Sequence, residues 1–75
     1  MTLQKRLNRL MKRRGWRVAN LARELGRPYT SVREWVLHGR EPSGPAAYRK
    51  AIERRVAKLE QAEAAWKEAV AADPQ

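Results

Sequence analysis

The chain has 75 residues, no cysteine, one histidine and a net charge of +9, with 43% hydrophobic and 33% charged residues. That length allows one small domain, burying roughly 60–65% of the surface its unfolded form exposes, so each large apolar residue counts. Composition excludes a disulfide framework or thiolate metal site and a membrane span of ~18–20 apolar residues, and neither a secretory signal nor a self-contained enzyme is expected.

The first element is a helix carrying Leu3, Leu7, Leu10 and Met11 on one stripe, with Lys5, Arg6, Arg9 and Lys12 outward. Thr2 caps its start, Arg13 and Arg14 suit its C-terminal dipole, and Gly15 stops it. Trp16 packs into the core beneath that turn. A second helix is expected from about Arg17 to Leu25, with Val18, Leu21, Ala22 and Leu25 inward and Gly26 as its stop. Pro28 favours the first turn of a third helix, which places Val32, Trp35 and Val36 inward and ends at about His38, before Gly39. The three-residue link forces these two helices to cross steeply.

Residues 39–45 (Gly-Arg-Glu-Pro-Ser-Gly-Pro) read as a turn, with Ser43 or Gly44 capping a final helix and Pro45 in its first turn. From Ala46 to about Ala72 the composition is strongly helix-forming, long enough for about 40 Å of rod. Ile52, Val56, Leu59, Glu63, Trp66 and Val70 alternate spacings of four and three, a heptad seam with one acidic interruption. The fold class is all-α: a helix-turn-helix core over residues 1–44, then a long helix over 45–75 whose first half packs on the core.

Charge is uneven along this plan. Residues 1–44 hold eleven Lys and Arg against three Glu, whereas residues 59–75 hold one Lys against four acids. A basic head predicts a polyanionic partner, since each phosphate neutralised releases condensed counterions. Arginine outnumbers lysine twelve to five, and its planar fork suits phosphate and guanine.

The informative stretch is Leu21-Ala22-Arg23-Glu24-Leu25-Gly26, followed by Val32 and Trp35. Ala22 is small where two helices must cross, and Gly26 can take a positive φ at the corner. With the downstream string Trp35-Val36-Leu37-His38-Gly39-Arg40-Glu41-Pro42-Ser43, residues 3–59 resemble the helix-turn-helix of phage repressor-like (Cro- and Xre-type) regulators. Two departures stand out: Val18 where members often have glutamine, and Arg27 where an apolar residue is usual.

The resemblance implies a small helical bundle whose third helix enters the major groove of double-stranded DNA, acting as a dimer on a near-palindromic site. On this chain it implies Tyr29, Thr30, Arg33 and Glu34 at the bases, with Leu37 one turn further along. Arg33 would read guanine, and Glu34 would accept from cytosine or orient Arg33. Arg17, Asn20, Arg27, Ser31 and Arg40 would flank them as phosphate contacts. His38 reads as a surface residue, and Trp16, Trp35 and Tyr48 as core.

A helix ending in Trp66 and Val70 would leave apolar surface in water unless it folds back or pairs. Pairing across a two-fold axis through Leu59, Glu63, Trp66 and Val70 is the expectation. It would set two reading helices roughly 34 Å apart in a homodimer.

The expected function is therefore a sequence-specific DNA-binding regulator from a phage or bacterium, working in the cytoplasm or nucleoid. It would repress by occupying an operator, with no cofactor, metal or small-molecule ligand. Two alternatives keep the fold: the DNA-recognition subunit of a larger phage machine (a recombination directionality factor or terminase small subunit), and a non-enzymatic adaptor that binds RNA polymerase.

Overall fold

The computed structural model describes residues 2–72, and the side chains of residues 2–67. Four helices follow one another: α1 (Leu3–Arg14), α2 (Val18–Leu25), α3 (Tyr29–Leu37) and α4 (Ala46–Ala72). There is no strand among the described residues. The protein is an all-α bundle with a long C-terminal helix.

Local chemistry sets the helix ends. The Thr2 hydroxyl accepts the Lys5 N–H at 3.3 Å, satisfying one of the free donors at the start of α1. The Asn20 side-chain oxygen accepts the Arg17 N–H at 2.9 Å at the start of α2. Gly26 closes α2 at φ +66°, a conformation that costs a side-chain-bearing residue about 1 kcal/mol or more. Its left-handed turn sends the chain through Arg27 and Pro28 into α3. Both helix-starting prolines stand one position earlier than the sequence suggests. The Pro28 carbonyl accepts from Val32, and the Pro45 carbonyl from Tyr48 and Arg49, so each proline is the flanking cap residue rather than a member of the first turn. Pro28 keeps an extended ψ of 141° in that role.

The core draws on all four helices. Leu3, Leu7 and Leu10 of α1 meet Leu21, Ala22 and Leu25 of α2, Val32, Trp35 and Val36 of α3, and Ile52 and Val56 of α4. Met11, Trp16, Val18, Tyr48 and Leu59 pack against its edge, so Trp16 and Tyr48 are half-buried rather than central. Polar groups at the seams are matched: no buried side-chain nitrogen or oxygen among the described residues lacks a partner. Gln4 and Asn8 of α1 both donate to the Val36 carbonyl, at 3.1 and 3.2 Å, and so tie the C-terminal end of α3 to α1. Arg55 of α4 donates to the Glu24 carbonyl at 2.9 Å, a cation at the negative end of α2.

The distal half of α4 differs from the sequence expectation. It runs along α1 instead of offering its whole seam to a partner. Arg6 binds Glu60 at 2.6 Å, Arg13 stands 3.6 Å from Glu63, and the Arg14 guanidinium lies over both Trp16 (5.1 Å) and Trp66 (5.9 Å). Leu59 is half-buried against the chain's own core and Glu63 is buried, because the basic face of α1 supplies the partner that the acidic interruption needs. Arg6, expected outward, is drawn in by the same contact. Trp66 stays 57% exposed, and Val70 lies outside the residues whose side chains are described.

Candidate nucleic-acid interface

Three inward residues determine which face α3 turns outward. Val32, Trp35 and Val36 are buried, which leaves Thr30, Arg33 and Leu37 on the opposite row. Tyr29 and Leu37, at the two ends of the helix, are 51% and 53% exposed. The helix packs on α2 and α1, and among the described residues no element covers its outer row.

The expected base contacts separate into two groups. Tyr29, Thr30 and Arg33 are exposed, and no carboxylate among the described residues lies within ion-pair distance of Arg33. Glu34 is half-buried and forms an ion pair with Arg40 (Oε2 to Nε, 3.2 Å), not with Arg33. The loop after α3 brings this about. The Arg40 N–H bonds the Glu34 carbonyl at 3.2 Å, folding Arg40 back over the helix it has just left.

The flanking residues also divide. Arg17 is exposed at the start of α2, free of any ion pair among the described residues. Asn20 is exposed, but its side-chain oxygen is committed to the Arg17 N–H. Arg27 is half-buried, its guanidinium 4.7 Å from the centre of the Tyr48 ring, which fixes its direction. Ser31 and Arg40 line one cleft together with Glu34, Trp35, Glu41, Ser43 and Tyr48. Glu41 there is held by Arg49 at 3.0 Å, so both carboxylates of the cleft face an arginine.

Both sides of the molecule are basic. On the α1–α4 side, Glu60 and Glu63 pair with Arg6 and Arg13, two of the six cations that α1 carries without an acid of its own. Residues 16–40 hold five arginines against two glutamates, and the excess lies on α2, α3 and the links beside them. A compact basic surface with an uncovered helix row at its centre can hold a polyanion and present one arginine fork to it. Among the described residues no group of His, Cys, Asp and Glu could hold a metal ion, and no helix is long and apolar enough to cross a membrane.

The sequence reading missed Gln4, Asn8 and the Glu34–Arg40 pair. Gln4 and Asn8 stand four apart beside the apolar stripe of α1, a spacing that places them on one face. Nothing in the sequence says which carbonyl that face meets. No protein-family model, curated protein or solved structure matches this chain.

Proposed function

We propose that the protein binds double-stranded DNA selectively, with α3 entering the major groove and Arg33 reading guanine. The outer row of α3 carries this reading: among the described residues it is uncovered and centred on an unpaired arginine, and it is held from behind by Trp35, Gln4 and Asn8. An α-helix fits the major groove, and a bidentate arginine on guanine O6 and N7 contributes about 1–3 kcal/mol of discrimination. Arg17 and Arg40, with Arg27 braced on Tyr48, supply the sequence-independent hold on phosphates.

The protein acts as a homodimer on a near-palindromic operator, and occupancy of that site by two copies blocks transcription. Trp66, exposed at the far end of α4, is the apolar surface that supports a two-fold contact; Leu59 and Glu63 serve the monomer.

Selection from a pool of random duplexes tests the proposal. The expected result is an enriched half-site containing guanine, repeated in inverted orientation about one helical turn away, whose affinity falls about ten- to a hundredfold with Arg33→Ala. A pool that enriches nothing at moderate salt overturns it.

A further inference from the structure

Leu37 stands on the same outward row as Thr30 and Arg33, and 53% of it is exposed. The helix cannot rotate to hide it without bringing Trp35 and Val36 into water. Its direction is also held, because Gln4 and Asn8 grip the carbonyl of the residue just before it. One leucine between Arg33 and His38 offers far less apolar area than the roughly 1,200 Å² of a stable protein interface. In the major groove the base edges present donors and acceptors, and the apolar group among them is the thymine C5 methyl.

We propose that Leu37 is a specificity-determining residue that packs on a thymine methyl within about two base pairs of the guanine read by Arg33. The inference rests on the reading of α3 as the groove-entering helix. Four helical residues advance about 6 Å, and base pairs are spaced about 3.4 Å apart, which sets the separation. Arg33 then selects guanine by hydrogen bonding, and Leu37 selects thymine over cytosine by contact with its methyl group.

The experiment uses the full chain and the duplex enriched from a random pool. Each thymine is replaced in turn by deoxyuridine, which removes one methyl and leaves the hydrogen-bonding edge intact. One replacement within two base pairs of the guanine is expected to weaken binding about fourfold, the effect of one lost buried methyl. Leu37→Ala should lose a similar factor on the thymine duplex and become indifferent to that replacement, with an unchanged helical circular dichroism signal. If no uracil duplex differs by more than about twofold, or if Leu37→Ala keeps the full thymine dependence, the assignment is overturned. An enriched duplex indifferent to uracil removes Leu37 alone, whereas a pool that enriches nothing removes the groove reading with it.

Discussion

Arg6 of α1 grips Glu60 of α4 with two donors, Nη2 to Oε1 at 2.6 Å and Nε to Oε2 at 3.2 Å, across 54 residues of chain. Hydrogen bonding to Glu60 raises the Arg6 pKa above its ordinary value, so the guanidinium stays charged throughout the accessible pH range. The side chains are 26% and 34% exposed, so solvent and salt screen the pair. A double-mutant cycle with Arg6→Gln and Glu60→Gln, read by urea unfolding, should give a coupling of about 0.5–1 kcal/mol that shrinks in 1 M salt. Zero coupling at low salt would remove the latch.

Glu34 offers a test in which simple electrostatics and positioning have opposite signs. Removing a carboxylate from a DNA-facing surface should strengthen binding if the group only repels phosphate. Because Glu34 holds Arg40 at 3.2 Å, Glu34→Ala should instead weaken binding, by about two- to fivefold. Titration at low salt decides the sign.

Arg33 and Arg17 are expected to fail differently. Arg33→Ala should relax preference at one base position. Arg17→Ala should weaken binding about equally on every sequence and reduce the salt slope by about one. Binding isotherms on the selected duplex and a scrambled one, at three salt concentrations, separate the two. Identical profiles for both variants would contradict the division between reading and holding.

Gly26 and Gly39, two of the four glycines at positive φ, share a value of +66° and should differ in what a methyl group costs. At Gly26 an added Cβ meets nothing within 4 Å, so Gly26→Ala carries backbone strain alone, about 1 kcal/mol. At Gly39 it would stand 2.9 Å from Gln4 Oε1, displacing the side chain that donates to Val36. Gly39→Ala should therefore destabilise as much as Gly26→Ala or more, and adding Gln4→Ala should remove most of the excess. Unfolding midpoints of the single and double variants check this.

The two halves of α4 should respond unequally to truncation. Ile52 and Val56 are 2% and 0% exposed, so a chain ending at residue 50 loses part of its core and should not fold. One ending at residue 58 keeps both and should fold with reduced stability, having lost Glu60 and Glu63. Circular dichroism melts distinguish the outcomes, and cooperative folding of the shorter chain would refute the assignment of Ile52 and Val56 to the core.

Much of the fold was legible along the chain because it is governed by neighbours in sequence. The Thr2 cap, the Gly26 corner and the three-and-four spacing of Leu3, Leu7 and Leu10 act within one or two helical turns. Val32, Trp35 and Val36 define the buried side of α3, and the exposed row of Thr30, Arg33 and Leu37 follows from the same spacing.

What one dimension could not assign was the allotment of charge. Arg6 and Arg33 look alike in sequence, yet one is tied to Glu60 and the other has no ion-pair partner among the described residues, because an ion pair depends on which helices lie side by side. Glu34 binds Arg40 because the loop after α3 doubles back, and the distal part of α4 lies on α1 because opposite charges and the Arg14 stack meet there. Helix periodicity determined which residues point inward; only packing in three dimensions decided which outward charges remain for a partner.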